Sequence, residues 1–158
     1  MKKIETTLLL IRKNGKILLA RKRRGFGEGK FNGVGGKREP NETIDETMLR
    51  ETKEEIGVTP KNWQKIAYIE YDEVMKGERS LVCMSLYTAT DFDGTPEETE
   101  EMSPAWFDEN NLPFGEMFGD DPYWFPYLLA GQKFKAKFVF DDDFNITSYN
   151  ITPVDDLD

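Results

Sequence analysis

Three glutamates in the first half of the chain are the clearest candidates for chemistry. On a helix, Glu51, Glu54 and Glu55 fall within an arc of about 100°, so their carboxylates share one face. Clustered hard oxygen ligands are what Mg²⁺ prefers, and a bound Mg²⁺ relieves the repulsion between the carboxylates while it engages phosphate oxygens. By itself this spacing favours a solvated helix face, and the flanking residues have to decide between the two interpretations.

The helix that carries these glutamates has recognisable ends. Thr43 and Glu46 match a capping box, and Gly57 matches a glycine stop. Between them, apolar residues recur along one side, which predicts an amphipathic helix. The glycine-rich segment 25–36 comes before this helix. It predicts a loop that leads into a site, because glycine lets the backbone approach a ligand closely.

Runs of β-prone residues surround this loop and helix. Residues 6–11 and 16–20 flank the Asn-Gly dipeptide at 14–15, which is typical of a tight hairpin turn. A second helix is predicted to start at 120–122, with Pro126 in its first turn or at a kink. Further strands are predicted at residues 65–72, 81–90, 104–107, 134–140 and 145–154. The sequence therefore predicts a mixed sheet with helices.

Composition narrows the classes of function. The formal net charge of −9 argues against binding to nucleic acid polymers or to membranes, since both need a basic surface. The chain has no histidine, so catalysis must rest on carboxylates, and its single cysteine, Cys83, cannot form an intramolecular disulfide. The charged start and the short apolar run after it predict neither a signal sequence nor a membrane span. We expect a cytoplasmic monomer with a single domain over residues 1–158.

The segment 36–58 resembles the Nudix box of the MutT superfamily. Its fixed positions are matched by Gly36, Glu42, Arg50, Glu51, Glu54, Glu55 and Gly57. Thr52 departs from the pattern, because the family usually has an aliphatic residue there. The resemblance implies a magnesium-dependent diphosphate hydrolase with an α+β fold, an α/β/α sandwich around a central mixed sheet.

The resemblance also implies a role for each residue of the box. Arg50 would orient the carboxylates through charge-assisted hydrogen bonds, and Glu42 would brace the loop. Lys22 would lie near the phosphates, and the alternative for residues 21–24 is a solvated strand end. Which glutamate accepts the proton stays open. The implied ligands of Mg²⁺, or of Mn²⁺ as its substitute, are Gly36, Glu51, Glu54, Glu55 and Glu101, and the implied catalytic residues are Arg50 and these four glutamates.

Motifs outside the box are similar to those of the animal oxidised-purine nucleoside triphosphatases, which act on 8-oxo-dGTP and 2-hydroxy-dATP. The similarity covers residues 7–154 and implies that Asp120 and Asp121 bind one edge of the base. Two close carboxylates tend to share a proton, so this pair can present one donor and one acceptor. The local alternative is that both merely cap a helix. Asn32 would bind the other edge and Trp124 would stack on the ring. The remaining substrate-binding residues it implies are Thr7, Lys22, Phe26, Gly35, Gly36, Lys37, Met102, Phe118, Gly119 and Phe140.

Two departures from that family leave the preferred base open. Phe118 stands where the mammalian members have tryptophan, and the region 71–79 is longer and lacks the family's paired phenylalanines. The alternative enzymes are Nudix hydrolases of an unmodified or alkylated nucleoside triphosphate, of ADP-ribose or of a dinucleoside polyphosphate. A different class of function is a non-catalytic module that senses a nucleotide, or an acidic interaction protein. The complete set of box glutamates argues against that class.

Overall fold

Every strand in the described part of the chain, residues 1–157, joins one sheet in this computed structural model. The strands are β1 (Lys2–Lys13), β2 (Lys16–Lys22), β3 (Phe31–Asn32), β4 (Thr59–Met75), β5 (Glu78–Asp93), β6 (Met102–Asp108), β7 (Phe134–Phe140) and β8 (Ile146–Pro153). Their order is β3-β2-β1-β5-β4-β7-β8, and β6 pairs with β2 outside this path. The β1–β5 and β4–β7 pairs are parallel and the others antiparallel, which confirms the predicted mixed sheet.

The predicted first hairpin is confirmed. β1 and β2 are antiparallel with Lys13 opposite Lys16. The two turn residues, Asn14 and Gly15, adopt the left-handed conformation with φ values of 56° and 76°, as a two-residue hairpin turn requires. Strands β4 and β5 extend beyond the apolar segments that were predicted for them. They stay paired from Thr59 opposite Asp93 to Met75 opposite Glu78.

One helix packs on each face of the sheet. Helix α1 spans Ile44–Ile56 and helix α2 spans Asp121–Leu129, with a short 3₁₀ helix at Phe114–Glu116 before it. Alternation along β1 separates two cores: Leu8 joins the buried cluster that contains α2, and Leu9 joins the cluster that contains α1. This arrangement confirms the α+β class and the layered architecture.

Helix α1 begins and ends where its sequence signals predict. Thr43 and Glu46 form both hydrogen bonds of the capping box, and Gly57 ends the helix with φ 77°. Thr52 is fully buried, and its hydroxyl donates to the Met48 carbonyl at 2.8 Å, so the departure from an aliphatic residue leaves no unpaired polar group.

Helix α2 starts at the predicted residues. Asp120 occupies the N-cap position, but its side chain makes no capping hydrogen bond, so the helix-cap interpretation of Asp120 is wrong. Of the two places predicted for Pro126, the first turn is wrong, because Pro126 lies inside the helix and the helix continues to Leu129. No helix formed by residues 1–157 has the length and apolar character needed to span a membrane.

Candidate active site

Arg50 is the centre of the hydrogen-bond network on α1. Its guanidinium donates to both carboxylate oxygens of Glu42, at 2.9 and 2.7 Å. It also donates to Glu51 at 2.9 Å, to Glu54 at 3.2 Å and to the Lys37 carbonyl at 3.2 Å. Because one side chain binds two α1 glutamates and the loop before the helix, the predicted orienting role of Arg50 has a direct structural basis.

Glu42 is held as a carboxylate by this network. The hydrogen bonds from Arg50, and then the Glu39 backbone N–H, lower the pKa of Glu42 from 4.5 to about 2. A carboxylate with a depressed pKa stabilises the folded state above its unfolded pKa, and this contribution is lost as the pH falls from 4.5 towards 2.

Glu42→Gln is therefore expected to lower the melting temperature at pH 7 and to flatten its dependence on pH in the acid range. Thermal denaturation monitored by circular dichroism from pH 7 to pH 3 measures both effects. Glu39→Gln is the matched control, because the exposed Glu39 carboxylate lies 3.8 Å from Arg50. If the melting temperature fell equally steeply with decreasing pH in Glu42→Gln and in the wild type, the lowered pKa of Glu42 would be contradicted.

Within the box, the Glu55 side chain is buried and the Glu51 side chain is partly buried. Burial raises the pKa of Glu55 to about 8, against a hydrogen bond of 2.9 Å that the Gly35 N–H donates to Glu55 Oε1. The charges of Glu51 and Glu101 raise it further, whereas that of Lys22 lowers it. Burial likewise raises the pKa of Glu51, against its hydrogen bond from Arg50. The site thus holds several carboxyls that repel one another as anions.

The two glycines before the box are required by close approach. A Cβ on Gly35 would lie 1.9 Å from the Thr7 carbonyl oxygen, which belongs to the backbone of β1. A Cβ on Gly36 would lie 2.5 to 2.7 Å from the carboxylate of Glu51, which is the end of a flexible side chain. The loop is fixed to β1 by a hydrogen bond of 2.9 Å from the Thr7 N–H to the Gly36 carbonyl.

These contacts predict different outcomes for two similar substitutions. Gly36→Ala should displace the Glu51 carboxylate and lower kcat by about 100-fold, since small misplacements of a catalytic group have effects of that size. It should change the melting temperature little. Gly35→Ala should instead destabilise the fold by about 1–3 kcal/mol or more, because backbone cannot yield as a side chain does. Denaturant unfolding and turnover of both variants measure this, and equal loss of stability in the two would contradict it.

The predicted metal ligands are not arranged as a complete coordination shell. Within residues 1–157, no three acidic side chains are close enough together to hold a metal ion as they stand. Arg50 draws Glu51 and Glu54 to itself, and the Glu54 and Glu101 side chains are 59% and 57% exposed. The donor set nevertheless suits a divalent cation, because hard carboxylate oxygens meet where burial and like charge disfavour the anionic forms.

A cavity of about 540 Å³ opens on the α2 face of the sheet. Its charged or polar lining residues include Asn32, Asp120 and Asp121, and most of the rest are apolar. Five aromatic side chains form a continuous arc around it: Phe118 contacts Phe26, then Phe144, Phe140 and Tyr71 follow, with centroid distances of 5.6 to 6.2 Å. The size and the flat apolar walls suit a purine base.

Asp120 and Asp121 are both buried and line the cavity. Asp120 Oδ2 accepts hydrogen bonds from the Tyr71 hydroxyl at 2.7 Å and from the Trp124 indole at 2.9 Å. Asp121 Oδ2 accepts one from the Phe118 N–H at 3.1 Å. Burial raises the pKa of both, and the charge of Asp120 raises that of Asp121 further. The pair therefore favours one carboxylate, on Asp120, and one protonated acid, on Asp121.

The structure brings seven predicted residues together at this cavity and corrects two others. Trp124 is fully buried and packs against Phe125 and Phe134, so its ring is not available for stacking on a base. Its indole instead fixes Asp120. Met102 belongs to the buried cluster on the α1 face and does not line the cavity. The seven predicted residues at the cavity are Phe26, Asn32, Phe118, Gly119, Asp120, Asp121 and Phe140.

Other predicted residues lie beside the box rather than at the cavity. Lys22 is near enough to Glu55 to lower its pKa. Thr7 is buried, and its hydroxyl accepts a long hydrogen bond of 3.5 Å from the Gly36 N–H. Lys37 forms a bridge with Thr6 of β1. None of these residues, and neither Gly35 nor Gly36, lines the cavity.

Sequence reasoning missed three prominent residues of the cavity, Tyr71, Glu73 and Phe144. Tyr71 and Glu73 could have been found, because every second side chain of a strand points to the same face and Ile69 on that face is fully buried. Phe144 carried no signal. It lies in the β7–β8 turn at φ 62°, an uncommon conformation for a bulky residue.

Comparison with known proteins agrees with this geometry. The NUDIX domain profile matches residues 1–128. The oxidized purine nucleoside triphosphate hydrolase of Mus musculus is 40% identical over 149 residues, 94% of each chain, and that of Danio rerio is 39% identical over 151 residues, 96% of each chain. The crystal structure of a mutator MutT protein from Bacillus halodurans aligns with a TM-score of 0.83 at 25% identity, covering 94% of this chain and 97% of that one. With the profile over most of its length and relatives over nearly all of it, this chain belongs to the Nudix hydrolase family.

Proposed function

We propose that this enzyme hydrolyses oxidised purine nucleoside triphosphates, such as 8-oxo-dGTP and 2-hydroxy-dATP, to the monophosphate and pyrophosphate. The observation that carries the proposal is the pair of adjacent buried carboxyls, Asp120 and Asp121, in the lining of a cavity walled by aromatic rings. The names of the relatives from Mus musculus and Danio rerio support the same substrate class.

Base recognition follows from the unequal states of the two aspartates. An ionised Asp120 accepts hydrogen bonds, while a protonated Asp121 donates one through its acid proton. Two donors, the Tyr71 hydroxyl and the Trp124 indole, converge on Oδ2 of Asp120, so Oδ1 is the oxygen that neither side chain occupies. A proton that can move within the pair lets the same pocket match the different donor patterns of oxidised guanine and oxidised adenine.

The ring arc replaces the stacking surface expected from Trp124. Phe118 and Phe26 lie 6.0 Å apart at an interplanar angle of 26°, and the Phe26 side chain is among the exposed large hydrophobic groups. Stacking of a base on an aromatic ring is worth about 1–3 kcal/mol. Phe26 and Phe118 therefore offer an aromatic surface to one face of the base in this proposal, and Asn32 binds an edge.

Nudix hydrolases generally use divalent cations, and the box residues fit one. Glu51, Glu54, Glu55, Glu101 and the Gly36 carbonyl would hold Mg²⁺, or Mn²⁺ in its place. When bound, the cation supplies charge neutralisation at the phosphate oxygens and lowers the pKa of a water molecule. One lone pair of the Gly36 carbonyl is already engaged by the Thr7 N–H.

The chain's own groups position the reaction. Arg50 holds the Glu51 carboxylate in place, and Lys22 provides positive charge beside Glu55 for a phosphate group. The Gly35 N–H fixes Glu55 Oε1, which leaves Oε2 to take a proton or to bind the cation. Orientation of the Glu51 carboxylate thus depends on the hydrogen-bond network of Arg50. Proton transfer or cation binding depends on the buried carboxyl of Glu55 on the same helix.

A screen with Mg²⁺ in which the product nucleotides, sugar phosphates and pyrophosphate are separated and quantified by chromatography tests the proposal. The substrates are 8-oxo-dGTP, 2-hydroxy-dATP, an alkylated purine triphosphate, the four unmodified dNTPs, ADP-ribose and a dinucleoside polyphosphate. The highest kcat/KM is expected for an oxidised purine triphosphate, with pyrophosphate and the monophosphate as products. A higher kcat/KM for an unmodified dNTP or for ADP-ribose would overturn the proposed substrate while leaving the hydrolase family intact.

A further inference from the structure

Glu73 places a third carboxyl in the base cavity. It lies on β4 two residues after Tyr71, so both side chains point to the same face of the strand, and both line the cavity. The intervening Asp72 has the opposite parity and forms an ion pair with Arg79. The strand thus presents one carboxylate to a surface arginine and the next one to the cavity.

The Glu73 carboxyl has no protein partner that would account for its position. Within residues 1–157 it forms no hydrogen bond and no ion pair, although the residue is only partly exposed. The cavity is also lined by apolar side chains from three other strands: Met84 on β5, Phe140 on β7 and Ile146 on β8. A partly buried carboxyl among apolar groups is unfavourable unless something else binds it.

The electrostatics of the cavity also disfavour an ionised Glu73 carboxyl that has no partner. Burial and then the charge of Asp120 raise the pKa of Glu73 to about 7. The other titratable groups at the cavity are Asp121, Tyr71 and Lys30. The Lys30 ammonium lies over the Phe118 ring at 5.8 Å and is 3.5 Å from the Met117 carbonyl. No cation among these residues pairs with Glu73, so an N–H donor on a ligand is the complement that it lacks.

Oxidation of a purine creates such a donor. A ring nitrogen that accepts hydrogen bonds in the unmodified base becomes an N–H beside the new carbonyl, as at N7 of 8-oxoguanine and N1 of 2-oxoadenine. A carboxylate can only accept hydrogen bonds, so it binds the oxidised ring nitrogen and repels the lone pair of the unmodified one. Discrimination of this kind is large, because the wrong base leaves a buried acceptor unpaired.

We propose that Glu73 is a specificity-determining residue that accepts a hydrogen bond from the ring N–H created by oxidation, and so favours oxidised over unmodified purine triphosphates. This inference rests on the proposed function and assigns a further residue to its base site. Asp120 and Asp121 then bind donors and acceptors that the base has in both its unmodified and its oxidised form. Glu73 binds the ring N–H that only the oxidised form has.

The test compares Glu73→Gln and Glu73→Leu with the wild type on paired substrates, 8-oxo-dGTP against dGTP and 2-hydroxy-dATP against dATP. The ratio of kcat/KM for each pair cancels the steps that both substrates share. Loss of a charge-assisted hydrogen bond should lower this ratio by about 10- to 100-fold in Glu73→Leu, and by less in Glu73→Gln, whose amide oxygen still accepts. In the wild type the ratio should rise with pH through about 7, and Glu73→Leu should lose this rise.

Glu70→Gln is the matched control, since Glu70 lies on the opposite face of β4 and pairs across the sheet with Lys137. Its ratio should equal that of the wild type. The folded state binds the Glu73 proton more tightly than the unfolded state, so the contribution of Glu73 to stability falls as the pH rises from 4.5 to about 7. Both Glu73 variants should therefore melt at or above the wild-type temperature at pH 8.

The outcomes separate the inference from the proposed function. An unchanged ratio in both Glu73 variants, or an equal loss on oxidised and unmodified substrates, would overturn the role of Glu73. A wild type with no preference for oxidised purines would overturn the proposed function instead, and the role of Glu73 would fall with it.

Discussion

Replacing Glu55 with glutamine is expected to lower kcat on an oxidised purine triphosphate by about 100- to 10,000-fold, the range in which a positioned proton-transfer group contributes. Glutamine keeps the shape of the side chain, and its amide oxygen can still accept the 2.9 Å hydrogen bond from Gly35. It removes the negative charge that either binds the cation or takes the proton. The fold should therefore remain while the chemistry fails.

Steady-state pyrophosphate release with saturating Mg²⁺ measures this loss, and thermal denaturation tests the fold. Glu100→Gln provides the control, because the side chain of Glu100 is 88% exposed. Turnover in Glu55→Gln within a few-fold of the wild type would refute the mechanism. A loss of activity that came with a large drop in melting temperature would instead indicate a structural defect, and Gly36→Ala would then become the decisive variant.

The second large effect is expected for Asp120→Asn. The Tyr71 hydroxyl and the Trp124 indole both donate to Oδ2, and an asparagine carbonyl in that position can accept both bonds. The variant loses the charge and the second acceptor oxygen. We expect kcat/KM on oxidised purine triphosphates to fall by about 10- to 100-fold, as for loss of a hydrogen bond to a charged group.

The stability of Asp120→Asn should not decrease, in contrast to its activity. Burial raises the pKa of Asp120, so ionisation of this group opposes folding as the pH rises above its ordinary value. Asp120→Asn should therefore be at least as stable as the wild type at pH 7. Asp142→Asn, in the exposed β7–β8 turn, serves as the control for loss of one surface charge. Equal decreases of kcat/KM on oxidised purine triphosphates and on the pyrimidine dNTPs would argue against base recognition by Asp120.

The sequence predicted the catalytic helix best because its determinants are local. The capping pair Thr43 and Glu46 and the stop at Gly57 are contiguous with the apolar stripe, and each is found in place. Strand ends were predicted less well. β4 and β5 extend through polar residues because backbone pairing with a neighbour, rather than burial of side chains, holds those ends.

The base cavity was only partly predictable because its members meet through tertiary packing. Two aromatic residues, Phe118 and Trp124, flank the aspartates, and the motif alone did not tell which one faces the ligand. Trp124 lies one helical turn after Asp120, and this spacing brings its indole N–H onto the carboxylate behind the cavity wall. Glu73 escaped notice because it occupies the region where this chain departs from the family that it resembles.

The division of the sheet into two faces has a consequence for how this enzyme can change over evolution. Leu8 belongs to the cluster that contains the base cavity's helix, and its neighbour Leu9 to the cluster behind the box. The backbone of the sheet separates substitutions on one side from those on the other, so their energies should add. Base preference can therefore drift by mutation of one layer, at sites such as Glu73, while the hydrolytic layer is inherited unaltered.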